Sequence, residues 1–206
     1  MTEPENNHPS LFHAFAGEDD AATPLTEEEK DGLVPSWVTF RHELNEVEQA
    51  NITHGALWAA RQHRRDLLEE TFLRDLHKRM LGDVWTWAGV YRTTERNIGV
   101  PAWKIRTELK ILLDDTRLRV EHAVFDPDEL AVRFHHRLVA IHPFPNGNGR
   151  HARMMADLLV MRLGRPRFTW GSASLLKAGE IRMRYVAALR QADAHDIKDL
   201  LIFARA

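Results

Sequence analysis

The chain predicts an all-α fold with one short β-hairpin, and three observations lead there. Apolar residues return at helical spacing in segment after segment of the 206-residue chain. Alternation of period two is nearly absent. The one long break in the helical period, residues 89–101, carries Thr93-Thr94 and Asn97-Ile98-Gly99-Val100, which suit a short hairpin.

Taken in order, residues 1–25 read as a poorly ordered tail, polar and acidic at the start, with a weak apolar patch at Leu11, Phe12 and Phe15. Thr26 before three glutamates resembles a helix start, since a hydroxyl caps the first N–H groups and carboxylates suit the positive end of the helix dipole. Residues 41 to about 65 carry apolar or small residues at Leu44, Val47, Ala50, Ile52, Leu57 and Ala60, with no Pro and one Gly, and predict a long helix or two in series. Residues 67–81 repeat the pattern through Leu68, Phe72, Leu76 and Met80. Beyond the hairpin, helices are predicted over 105–118, 127–141, 149–163, 178–192 and 196–204. The chain divides into the tail, an N-terminal helical segment over 26–65 and a core over 66–206.

Composition narrows the function classes. Net charge is -2, so there is no electrostatic case for a nucleic-acid partner. The absence of cysteine excludes disulfides and thiolate metal sites. No apolar run reaches membrane-spanning length, and the opening residues do not form a signal peptide. A cytoplasmic protein is expected.

The chemistry concentrates in residues 142–153, HPFPNGNGRHAR. A loop of small residues that opens a helix presents unpaired backbone N–H groups at the positive end of the helix dipole, an arrangement that binds anions. Gly147, Asn148 and Gly149 let backbone approach a phosphate. Arg150 and Arg153, three apart, share a helix face and offer bidentate contacts to further phosphates. His142 stands at the edge of the turn as a general base, because an imidazole titrates near operating pH. Phe144 anchors the loop in the core. His135 and His136 lack ligand spacing with His142 and suit structural or exposed roles. Trp85 and Trp87 read as core, and Arg61, Arg64 and Arg65 as a solvated face.

His142, Phe144, Gly147, Asn148, Gly149, Arg150 and Arg153 together resemble the signature of the Fic family. Leu76-His77-Lys78, the segment 84–89 and the segment 187–193 resemble further parts of it. The resemblance implies a Fic-like helical bundle with a hairpin flap, and transfer of AMP from ATP to a Ser, Thr or Tyr hydroxyl of a protein. It implies that residues Arg96, Asn97, Ile98, Gly99 and Val100 form the flap that docks a target segment by strand pairing. It implies Mg²⁺ at position 146, where the family has an acid and this chain has Asn146. It also implies an inhibitory helix: Thr39 and Glu43 match most of the family's pattern, with Glu43 opposing Arg153, whereas Leu44 departs from it and Glu46 and Glu48 fit it less well. Gly149 is the residue of the AMP-transferring members, not of the phosphorylating ones. Asn146 leaves alternatives open: another phosphoryl or nucleotidyl chemistry, removal of AMP, or a nucleotide-binding protein without catalysis, paired with a regulatory or antitoxin-like neighbour.

Overall fold

The computed structural model describes residues 24–172 and 178–206, so most of the predicted tail, with Leu11, Phe12 and Phe15, lies outside the described residues. At its C-terminal end the tail prediction is corrected: Leu25 is buried and its N–H donates to Thr39 O at 2.8 Å.

The helices are α1 (Glu27–Lys30), α2 (Arg41–Ala60), α3 (Glu70–Leu81), α4 (Ile105–Glu121), α5 (Pro127–Ile141), α6 (Asn148–Arg162), α7 (Ala178–Asp193) and α8 (Lys198–Arg205), with a 3₁₀ turn at Ala102–Lys104 before α4. The predicted helices are present, with ends shifted by a few residues. The start of α5 shows why its boundary was legible: Asp126 accepts the Asp128 N–H at 3.0 Å, and Pro127 occupies the first helical position, where no N–H is needed. None of the helices among the described residues is long and apolar enough to cross a membrane.

α3, α5 and α6 form the centre. Phe72, Leu76 and Met80 from α3, Leu138 and Ile141 from α5, and Ala152 and Met155 from α6 all belong to one buried cluster. α8 closes the far side, where Thr169 and Trp170 N–H groups both donate to Ala204 O.

α2 lies directly on α3. Gly55 makes this possible, because a Cβ there would stand 2.7 Å from Met80 Cγ and 2.9 Å from its Cα. Asn51 locks the crossing, donating from Nδ2 to Asp83 Oδ2 at 2.9 Å and accepting the Asp83 N–H at 3.0 Å. The buried stripe of α2 is Leu44, Glu48, Asn51, Ile52, Gly55 and Ala59. Of the apolar or small residues read from sequence, Leu44 and Ile52 lie in it. Leu57 is 55 % exposed and Ala50 and Ala60 face outward, because small and polar residues at the crossing position the helix more than its larger apolar ones.

The predicted hairpin is corrected as well. Residues 90–100 form an irregular loop, and the β-bridges among the described residues are the isolated pairs Pro24–Phe40 and Leu33–Trp85. The carbonyls of Thr94 and Val100, which a ladder would use across the loop, are both held by the guanidinium of Arg92.

Candidate active site

The site grows from the turn between α5 and α6. α5 ends at His142, whose φ of 53° places a non-glycine residue in the left-handed region. α6 begins after Gly147, with φ of 76°, where a Cβ would meet Leu81 Cδ1 at 2.5 Å. Both ends of the turn are thus set by left-handed residues pressed against packed neighbours.

Its interior is pinned by side chains. Asn148 is buried; its Oδ1 accepts the Phe144 N–H at 2.9 Å and its Nδ2 donates to Phe144 O at 2.8 Å. The amide of Asn148 therefore shapes the loop, and the residue's contribution toward a ligand is its backbone. His77 reaches across from α3. Its Nδ1 accepts the Gly89 N–H at 2.9 Å, which leaves Nε2 to donate to Asn146 O at 3.1 Å, and its ring stacks on Phe144 with centroids 3.6 Å apart. With Phe144 and Asn148 so held, the first N–H groups of α6 have no intrahelical acceptor and open onto a cavity.

That cavity is about 490 Å³. His142, Gly147, Gly149, Arg150 and Arg153 all line it, as does Ile98 of the loop 90–100. Four arginines, Arg41, Arg150, Arg153 and Arg182, stand against one carboxylate, Glu48, among the lining residues. A larger groove of about 690 Å³ beside α2 and α3 mixes Arg65, Lys78 and Arg79 with Asp75 and Asp83 and has no such bias. The lining at the turn carries a positive excess, an arrangement that suits a polyanion.

His142 is half-buried. Burial first, and the charge of Arg92 second, hold its imidazole below the ordinary histidine range, so it is neutral and able to accept a proton at neutral pH. Arg153 stacks its guanidinium over the Tyr185 ring, 5.4 Å from the centroid, and the Tyr185 hydroxyl lies 3.1 Å from His135 Nε2. His136 pairs with Asp193 at 2.8 Å. Neither of these two histidines faces the cavity.

The expected inhibitory pair is corrected. Glu43 turns back on its own helix start, accepting the Thr39 N–H at 2.8 Å, the Thr39 hydroxyl at 3.3 Å and the Phe40 N–H at 3.0 Å. These backbone bonds hold its carboxyl below the usual range. Glu43 thus closes the start of α2, holding Thr39 and the N–H of the N-cap residue Phe40. The carboxylate that does reach the turn is Glu48, whose Oε2 accepts from Arg150 Nη1 at 2.5 Å while its Oε1 accepts from Trp85 Nε1 at 2.6 Å. It meets the first arginine of the motif, not Arg153. The signal for it was a charged residue in the inward stripe of α2. Arg182 and Tyr185 were also missed; with Val186 and Leu189 they share one face of α7 that lines the cavity, a spacing visible in the sequence.

The Fic/DOC family model matches residues 67–160, which include α3, the loop, the histidine turn and most of α6. Residues 67–160 are a Fic/DOC domain. Protein adenylyltransferase fic-1 of Caenorhabditis elegans is 34 % identical over 130 residues, 60 % of this chain and 24 % of the relative. Protein adenylyltransferase Fic of Aedes aegypti is 27 % identical over 165 residues, 78 % of this chain and 32 % of the relative. The chain thus spans about a quarter to a third of the length of these relatives. Among solved structures, a fragment of C. elegans Fic-1 superposes with a TM-score of 0.62 at 27 % identity, covering 89 % of this chain and 55 % of that one. The N-terminal Fic domain of a Bartonella quintana cell filamentation protein with bound ADP gives a TM-score of 0.65 over 96 % of this chain and 94 % of that one; at 18 % identity the likeness is one of fold. The Fic fold here includes helices on both sides of the matched segment, since α2 and α7 supply Glu48, Arg182 and Tyr185 to the cavity.

Proposed function

We propose that this Fic protein transfers AMP from ATP to a hydroxyl of a protein. The observation that carries the reading is the cavity itself: a neutral, half-buried His142 on the rim of an arginine-lined turn at a helix N-terminus. Adenylyltransferase relatives and an ADP-bound Fic fold support it. In the reaction the target oxygen attacks the α-phosphorus of ATP. The hydroxyl proton passes to the His142 imidazole, the bond from the α-phosphorus to the bridging oxygen breaks, and pyrophosphate leaves. The N–H groups at the start of α6 and the guanidinium of Arg153 oppose the charge that builds on the phosphates. The loop with Arg96, Asn97, Ile98, Gly99 and Val100 borders the entrance and receives the target segment; Ile98, 61 % exposed, offers it an apolar contact.

Mg²⁺ belongs to this reading as a companion of ATP. Among the described residues no group of three His, Cys, Asp or Glu could hold a metal. Asn146 offers a neutral amide oxygen that already accepts the Gly147 N–H at 2.7 Å. Such a donor fits an ion carried mainly by the nucleotide's phosphates, which it would help neutralise. The same neutral residue favours the second reading, a nucleotide-binding protein without transfer. Glu48 serves in the proposal as the restraint: its carboxylate occupies Arg150, so phosphates and carboxylate compete for one guanidinium. A regulatory partner, in this reading, acts by drawing α2 off the turn.

ATP labelled on either the α- or the γ-phosphate, incubated with the protein and a cell lysate, tests the proposal. Protein-bound label from the α position alone is the expected result. Label from the γ position would mean phosphorylation, and nucleotide binding with no protein-bound label from either would leave the binding-only reading.

A further inference from the structure

Arg92 is a buried charge that the transfer chemistry leaves without a part. Arg92 is 4 % exposed, and its guanidinium donates to three backbone carbonyls: Nε to His142 O at 2.7 Å, Nη1 to Thr94 O at 3.0 Å, and Nη2 to Val100 O. Two main-chain bonds run beside it, from Arg92 N–H to Pro143 O at 3.0 Å and from Val100 N–H to Ile141 O at 3.3 Å. The consecutive carbonyls of Ile141, His142 and Pro143 are thus all held by the two residues at the base of the loop.

The histidine segment needs such holding. A non-glycine residue in the left-handed region persists where its surroundings over-determine it. The contact is also close. Gly99 has φ of 102°, and a Cβ there would stand 2.7 Å from both His142 Cβ and Arg92 Nη2. The loop therefore rests on the histidine through a position that admits no side chain.

We infer that Arg92 is a positioning residue that fixes the strained backbone of His142 and couples it to the target-docking loop. The inference rests on the transfer reading for the role of His142. Arg92's planar fork is what the arrangement uses; a lysine keeps the charge but can bond the three carbonyls only one or two at a time. Movement of the loop is then transmitted to the base through one rigid group, and a target segment seated on the loop sets the imidazole for attack.

The test compares wild type with Arg92→Lys and Arg92→Met in the full chain. ATP affinity is measured by calorimetry, AMP transfer by single-turnover assay, amide exchange at residues 98–100 by NMR, and the His142 imidazole by its ring resonance, assigned with His142→Gln. For Arg92→Lys the expected result is ATP affinity within about twofold of wild type and transfer slower by about 10²-fold, the scale of a misplaced reacting group. Exchange at Val100 should rise about tenfold, with a displaced imidazole resonance. Wild-type transfer by folded Arg92→Lys would overturn the inference. So would transfer and ATP affinity falling by the same factor, which marks a general loss of structure. If wild type transfers no AMP under any condition, the transfer reading fails by itself; the imidazole resonance and Val100 exchange still decide the coupling, and both unchanged in Arg92→Lys would reject it.

Discussion

Glu48 and Arg150, separated by 102 positions, meet at 2.5 Å and tie α2 to the start of α6. Trp85 holds the other carboxylate oxygen, so Glu48 is fixed from two sides. The pair joins a helix outside the segment matched by the family model to the turn near that segment's C-terminal end.

Removing the carboxylate frees Arg150 for phosphate. Glu48→Gly should raise ATP affinity on the order of 10- to 100-fold, the worth of one charge-assisted bond, and raise AMP transfer with it. Calorimetry and α-labelled ATP measure the two. Glu43→Gln is the control: with only its own helix start to hold, it should lower stability slightly and leave nucleotide affinity unchanged. The reverse pattern would return the inhibitory role to Glu43.

His142→Ala should lower transfer by about 10²- to 10⁴-fold while ATP still binds, because the base acts on the nucleophile and the turn holds the phosphates. Undiminished transfer would mean another group takes the proton.

Asn146→Asp should lower the Mg²⁺ concentration needed for half-maximal nucleotide binding, since it adds a carboxylate at the cavity's edge. Identical Mg²⁺ titrations in the two proteins would place the metal away from position 146.

Stability should fall as the pH is lowered from about 6.5 toward 4. Burial pushes His135 down to about 3 and His151 down to about 4, and it pushes His77 well below the usual range, with the charge of His151 adding to the effect. In that window the unfolded chain takes up protons that the folded chain refuses, so each histidine favours unfolding as the pH drops. Asp157 works the opposite way: burial pushes it up to about 7, so the folded state is protonated first and gains as the pH drops. The histidines held low, His142 among them, outnumber the one carboxyl, so the net effect is a loss of stability as the pH drops through this window. Urea midpoints at pH 7, 6 and 5 measure it, and a flat series would show that the histidines are not held neutral.

Much of this molecule was legible in its sequence because the relevant forces are local. Asp126-Pro127 starts α5, and the glycine turn starts α6, by rules that operate within a few residues. The signature histidine, glycines and arginines lie close together in the chain, and the structure brings them to one cavity. What was hidden depends on distant partners. Glu48 looks like one more surface acid until Gly55 and Asn51 seat α2 on α3 and turn it inward. The loop 90–100 has hairpin composition, but Arg92 captures the carbonyls a ladder would need. His77 was one letter in a recognised stretch, and its role as a brace under Asn146 exists only across 69 positions.

A competitor borne on the same chain cannot be diluted away. Glu48 faces Arg150 at a local concentration set by the seating of α2 on α3, whatever the amount of protein present. In the proposed reaction ATP would therefore contend with a fixed opponent, and its apparent dissociation constant would be the intrinsic one divided by the fraction of molecules with Arg150 open. If about one molecule in a hundred is open, the nucleotide level needed for occupancy rises about a hundredfold. On that reading the α2 crossing is a gain control: substitutions at Gly55, Asn51 or Trp85, none of which lines the cavity, would reset the nucleotide level at which the protein begins to respond.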